Sequence, residues 1–235
     1  MKKSWFGWIA FLTVVGCSGG GEGGSAYTPT PTPKLTPVTV AAGQEAKLFP
    51  VKVGNTWTYA YTEQQVRGGR TGTINADMVL TVKKVEPVSG GQRVTMSVTL
   101  NGKPAGSQNW LVTSKGIFQQ SIGGTAITPF NPPLPALQYP VEANKKYSWK
   151  GKAGSSPMAA NAEIIGSTEV DTEMKRFAAI QVDMKYTKLT KGVETKAEQS
   201  VWFVPDIGIV RLYDQSASKN VASRLTLSLK DYEVK

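Results

Sequence analysis

The chain has 235 residues, with 27 Lys and Arg against 17 Asp and Glu, a formal charge of +10, no histidine and one cysteine. This length fits one domain, or one domain with appendages. The missing residue types exclude a Ser-His-Asp triad, a Cys-His pair, a His-ligated zinc, a c-type haem and any disulfide within the chain. With 40% hydrophobic and 9% aromatic residues, most of the chain can build a core.

The chain opens on Lys2 and Lys3, followed by an apolar run from Trp5 to Val15. Those eleven residues are too few to cross a bilayer core as a helix, which needs about 20. They suit the apolar region of a secretory signal, with the lysines held on the cytoplasmic side. The run ends in Val14-Val15-Gly16-Cys17. This resembles the lipobox of bacterial lipoproteins. The resemblance implies cleavage after Gly16, a thioether-linked diacylglycerol on Cys17 and, in many bacteria, a further acyl group such as palmitate. Two or three acyl chains, at about 0.8 kcal/mol per buried methylene, anchor durably where one does not. The same resemblance implies the outer membrane if the host is diderm, because Ser18 and not Asp follows the cysteine.

Ser18 to Pro37 follows, with Gly, Pro, Ser and Thr filling 15 of its 20 positions. Such a segment buries too little apolar area to offset its chain entropy, so it is expected to be a disordered tether. The predicted organisation is a signal peptide over 1–16, a lipidated cysteine and linker over 17–46, and a single β domain over 47–235.

The texture of that domain is β, with short Val-, Ile-, Thr- and aromatic-rich runs between Gly, Asn and Pro. Trp57, Tyr59 and Tyr61 alternate and share one strand face. Ile74 to Val85, Arg93 to Leu100, Gln108 to Thr113 and Ile117 to Ile122 read as strands. Their turns fall at Ser89-Gly90-Gly91, Asn101-Gly102 and Lys115-Gly116. Residues 125–140 carry Pro129, Pro132, Pro133, Pro135 and Pro140, so a long loop or lid is expected there. Lys146 to Trp149, Ala160 to Val170, Phe177 to Leu189, Ser200 to Val204 and Ile209 to Tyr213 continue the strands. Met158 to Gly166 is the best short helix candidate. Arg224 to Leu229 alternates cleanly and reads as a half-buried sheet edge.

Two landmarks give a second resemblance. Phe49-Pro50-Val51-Lys52-Val53-Gly54-Asn55-Thr56-Trp57-Thr58-Tyr59 and Trp202-Phe203-Val204-Pro205-Asp206-Ile207-Gly208-Ile209-Val210-Arg211 resemble the two signature stretches of a group of bacterial lipoproteins and exported proteins. Lys175-Arg176-Phe177-Ala178-Ala179-Ile180-Gln181-Val182 matches a middle segment loosely, its cations replacing a small pair. The resemblance implies a mainly β fold with a strongly curved antiparallel sheet, a half-barrel or open barrel, similar to the half-barrels of lipoprotein-localisation factors. It implies no activity. Physically, Gly54 and Gly208 free the backbone at turns, and Trp57 and Trp202 are large enough to fill the inside of a curved sheet.

Candidate chemistry is sparse. Ser216-Ala217-Ser218-Lys219 has a Ser-x-x-Lys spacing, but it lies between strands and not on the helix that chemistry needs. Glu169, Asp171 and Glu173 alternate, with Lys175 and Arg176 beside them to neutralise them. Lys145, Lys146, Lys150 and Lys152, interleaved with Tyr147 and Trp149, are the best anion-binding candidates. Trp57, Tyr59, Tyr61 and Trp202 are candidates to face a ligand or fill the core. The expected function is a non-catalytic, membrane-anchored binding or carrier protein of the cell envelope, for a hydrophobic ligand. The alternative is a structural or assembly protein binding an envelope protein or polysaccharide. No enzyme activity, cofactor, metal or specific nucleic-acid partner is expected.

Overall fold

The computed structural model describes residues 34–235, apart from Thr125 and Asn220. A 3-10 turn, Glu45–Leu48, precedes twelve strands. These are β1 Thr56–Arg67, β2 Arg70–Val88, β3 Gly91–Leu100, β4 Lys103–Thr113, β5 Gly116–Gly123, β6 Ile127–Gln138, β7 Lys145–Ala153, β8 Ser156–Asp171, β9 Arg176–Thr190, β10 Val193–Val204, β11 Gly208–Ser218 and β12 Val221–Glu233. Each pairs antiparallel with its neighbour in sequence, and β12 pairs with β1 from Thr56↔Glu233 to Arg67↔Val221. The fold is therefore mainly β on a strongly curved antiparallel sheet, as the sequence indicates, and the curvature runs through to a closed barrel.

Short-range chemistry sets the register. Asn101-Gly102 and Lys191-Gly192 have positive φ at both turn residues, the geometry that matches the right-handed twist of the strands they join. In β1, Trp57 and Tyr59 are buried while Thr56, Thr58 and Ala60 beside them are half-exposed. A twelve-strand barrel is wider than the eight-strand barrel that side chains just fill, so its interior needs an insert. Leu48 and Phe49 supply it, both buried, with Phe49 5.1 Å from the Trp110 ring.

Three expectations are corrected. The Pro-rich stretch expected as a loop or lid over 125–140 is a strand over 127–138. β6 satisfies the limits on proline by pairing poorly: its ladder with β5 is interrupted twice, and it meets β7 only through Phe130↔Ala153 and Asn131↔Lys152. At this seam side chains replace the ladder. The Tyr147 hydroxyl donates to the Ala136 carbonyl, and Phe130 packs edge-on to Trp149. Gly151 is required there, because a Cβ would lie 2.5 Å from the Asn131 carbonyl oxygen.

The helix candidate at 158–166 lies within β8. Met158, Ala160, Ala162 and Ile164 are all buried at period two, and Ala160 sits opposite Trp149. Tertiary packing of small residues against a large one overrides the helix propensity of alanine. The third correction concerns residues 224–229, which are not an edge. β12 is paired on both sides, with β11 and with β1.

Candidate functional site at the mouth of the barrel

The up-and-down topology gives the barrel two unlike ends. One holds the 3-10 turn, the start of β1 and the end of β12; it is the plugged end. The other carries the β1–β2, β3–β4, β5–β6, β7–β8, β9–β10 and β11–β12 turns and is the mouth.

Both landmark motifs lie at the plugged end and touch each other. The Trp57 indole donates to the Ile207 carbonyl at 2.6 Å, and the Tyr59 hydroxyl to the Ile209 carbonyl at 2.8 Å. Gly208 has φ 102°, and a Cβ there would lie 3.6 Å from the Trp57 indole nitrogen. Asn55 is fully buried; its amide donates to the Pro50 carbonyl and its side-chain oxygen accepts from the Lys235 N–H. The motifs thus lock plug, first strand and last strand together.

Trp202 does not join Trp57, Tyr59 and Tyr61. Val201 and Phe203 are buried in the core, so the ladder puts Trp202 on the opposite, outer face, where its indole donates to Thr168 Oγ1. Lys145 to Lys152 also divide. Lys145 donates to the Tyr139 and Pro140 carbonyls, Lys146 pairs with Glu163 at 3.5 Å, and Lys150 and Lys152 are exposed on the outer face. Glu169 and Asp171 both pair with Arg176, whose hydrogen bonds hold the Asp171 carboxyl below its ordinary value. Their hairpin tip reaches β12, where the Glu173 N–H bonds Ser228 and the Met174 N–H bonds the Leu229 carbonyl. Ser216 and Ser218 lie on strand β11, and Lys219 is exposed in the following turn. Gly16 and Cys17 lie outside the described residues.

The mouth half of the interior is built differently. Along β1, inward positions pass from buried Trp57 and Tyr59 to half-buried Tyr61, Glu63 and Gln65. In β3 they pass from buried Val94 and Met96 to half-buried Val98 and Leu100, and in β11 from Val210 to Leu212 and Asp214. These residues face a partly accessible space, even though all are on the core side of the ladder. The β7–β9 wall is closed, since Met158, Ala160 and Ala162 stay buried almost to the turn.

Polar groups stand at defined points in this half. Asp214 accepts from the Tyr186 hydroxyl at 3.1 Å and from the Gln199 amide at 3.2 Å. Burial pushes its carboxyl up to about 6, against these two hydrogen bonds. Tyr61 donates to Glu63 Oε2 at 2.6 Å, and burial, then that carboxylate, raise its phenol. Burial lowers the Lys188 amine, on the same inward register as Met184 and Tyr186. The arrangement can hold an apolar body against Val98, Leu100, Leu212 and Leu225 and hydrogen-bond a polar end.

Sequence reasoning put Tyr61 on one strand face with Trp57 and Tyr59, as a residue to face a ligand or fill the core, and did not name Asp214, Tyr186 or Gln199. The signal was the inward register Val210, Leu212, Asp214, but the expected strand stopped at Tyr213.

No protein-family model matches the chain, and no curated protein matches it. Two solved structures are similar to it. One, described as a "putative lipoprotein" from Parabacteroides distasonis, is 17% identical, with 79% of this chain and 98% of that one covered and a TM-score of 0.49. The other, described as a "putative exported protein with YmcC-like fold" from Bacteroides fragilis, is 15% identical, with 78% and 98% covered and a TM-score of 0.45.

Proposed function

We propose that the protein is a non-catalytic binding or carrier protein of the cell envelope. A lipid on Cys17 anchors it to the membrane, in the outer membrane of a diderm host, and the barrel takes a hydrophobic ligand through its mouth. One observation carries the ligand reading. Val98, Leu100, Leu212 and Leu225 are apolar, lie on the inward face of the ladder, and are only half-buried. An apolar wall left partly reachable inside a barrel is a surface that gains by being covered, at about 25 cal/mol per Å². The Met78, Met96, Met158 and Met184 side chains beneath it are flexible enough to adapt to occupants of differing shape. The anchor reading rests on Val14-Val15-Gly16-Cys17.

The ligand test is a titration of residues 17–235, carrying Cys17→Ser, with the neutral apolar probe diphenylhexatriene. Saturable fluorescence near one probe per chain, lost in Leu225→Glu and kept in the outer-face variant Thr226→Glu, is the expected result. Absence of saturable binding, or equal loss in both variants, contradicts it. The anchor is tested separately by mass spectrometry of the envelope-purified chain, which carries acyl mass on Cys17 if the reading holds and none if it fails.

A further inference from the structure

The two ends of the barrel differ in charge as well as packing. The mouth turns, taken with the residues flanking them, carry Arg67, Arg70, Lys103, Lys191 and Lys219, and the two acids beside them are already paired, Glu194 with Lys196 at 3.5 Å and Asp77 with Lys230 at 2.6 Å. The plugged-end turns carry Glu142, Asp171, Glu173 and Asp206 against Lys115, Lys145, Lys175 and Arg176. All five mouth cations are exposed, and among the described residues none is in an ion pair. Exposed aliphatic side chains stand among them. Ile122 and Ile127 flank the β5–β6 turn, at 39% and 57% exposure, and Leu189 and Val193 flank the β9–β10 turn, each at 45%.

We propose that the mouth rim is a docking surface for an anionic lipid bilayer. A ring of turns at one end of a barrel approaches a plane together, so its cations and aliphatic tips act at the same time. The cations supply attraction to anionic headgroups, and the aliphatic side chains enter the headgroup boundary. An acidic protein or a nucleic acid would use the cations but gives no reason for Ile127, Leu189 and Val193 to stand out from the rim. Geometry also permits docking on the membrane that anchors the chain. The described N-terminal segment lies beside Ser167 and Glu169, where the Val38 and Leu35 N–H groups donate to them. From there to the mouth end of β8 is about 36 Å, and the chain from Cys17 to Lys34 can span at most about 55 Å. The docking does not depend on the interior holding a ligand. If both hold, an apolar ligand passes between barrel and bilayer without crossing water.

The test is co-sedimentation of residues 17–235 carrying Cys17→Ser with vesicles of phosphatidylcholine alone, or with phosphatidylglycerol at one third. Two triple variants change net charge equally: Arg67→Glu, Lys103→Glu and Lys191→Glu at the mouth, and Lys52→Glu, Lys83→Glu and Lys115→Glu at the plugged end. The parent is expected to bind the anionic vesicles and to release as salt rises. The mouth variant should lose about a hundredfold in partitioning, about fivefold or more for each cation, while the plugged-end variant loses far less. A second variant, Ile127→Ser with Leu189→Ser, keeps the charge and should still lose severalfold. Circular dichroism confirms that each variant keeps its β signal. Absence of binding to anionic vesicles overturns the proposal, as does equal loss in the two charge variants. Retention on heparin or DNA with none on vesicles also overturns it.

Discussion

The plugged end and the mouth are made from the same twelve strands, yet they are held by different physics. At the plugged end, Trp57, Tyr59, Phe203, Val210 and Leu229 are buried, and each polar group that closes the end has a partner: Trp57 with Ile207, Asn55 with Pro50 and Lys235. At the mouth, the same inward register carries Glu63, Gln65, Leu212 and Asp214, all only half-buried as residues. One end spends its interior on stability and the other leaves its interior reachable. In an antiparallel barrel every strand crosses both ends, so this division has to be written residue by residue within each strand.

The contrast can be broken most sharply by truncating one side chain at each end. Trp57→Ala should cost about 3–5 kcal/mol, since it opens a cavity in a filled region and strands the Ile207 carbonyl. Leu225→Ala, in the half-buried mouth, should cost less than about 2 kcal/mol. Urea denaturation of the two variants reads this directly, and equal losses would erase the distinction.

Next in size is the Asp214 carboxyl, held at about 6 where 3.8 is ordinary. A raised folded-state value in an acid means the folded protein holds the proton more tightly than the unfolded chain. Its contribution therefore favours folding at low pH, weakens as pH rises from about 4 to about 6, and stays unfavourable above that. The rise corresponds to about 3 kcal/mol. Asp214→Asn can still accept from Tyr186 and Gln199, so it should be more stable than the parent at pH 8 and nearly equal to it at pH 4. Melting curves across that range check the sign. A variant that is less stable than the parent at pH 8 would contradict a carboxyl whose charged form is penalised by burial.

The seam between β6 and β7 sharpens the comparison from another side, because it runs the length of the barrel and belongs to neither end. With two ladder pairs in place of a full register, amides of β6 and β7 facing the seam should exchange hydrogen earlier than those of β8 and β9. Gly151→Ala should cost about 1–3 kcal/mol, because its Cβ meets backbone and the Trp149 ring. The smallest effect belongs to Arg176→Ala, whose urea midpoint should stay close to the parent's. Its partner Asp171 is 70% exposed, so solvent screens most of that pair.

Strands were legible wherever alternation and turn chemistry agreed. Asn101-Gly102 and Lys115-Gly116 marked their turns, and Trp57, Tyr59 and Tyr61 marked one strand face. Closure was not legible, because Arg224 to Leu229 alternates in the same way whether one or both of its sides are paired. The prolines of 127–138 pointed to a loop since a missing N–H reads locally; that a barrel can keep such a strand at a weak seam is a property of the neighbours. The two landmark stretches lie far apart in the sequence, and the structure brings them into contact through Trp57 with Ile207 and Tyr59 with Ile209. The mouth polar groups were hidden because Asp214, Tyr186 and Gln199 come from three strands. No spacing in the sequence reports that Asp214 lies within hydrogen-bonding reach of the other two.

The account stands on the interior being reachable from the mouth and filled by an apolar occupant. Native mass spectrometry of the envelope-purified protein, exchanged out of detergent, tests this most directly. The account predicts a lipid-sized adduct at one per chain, absent from Leu225→Glu and retained in Thr226→Glu. A chain that flies at its own mass, acyl anchor included, in parent and variants alike would contradict it.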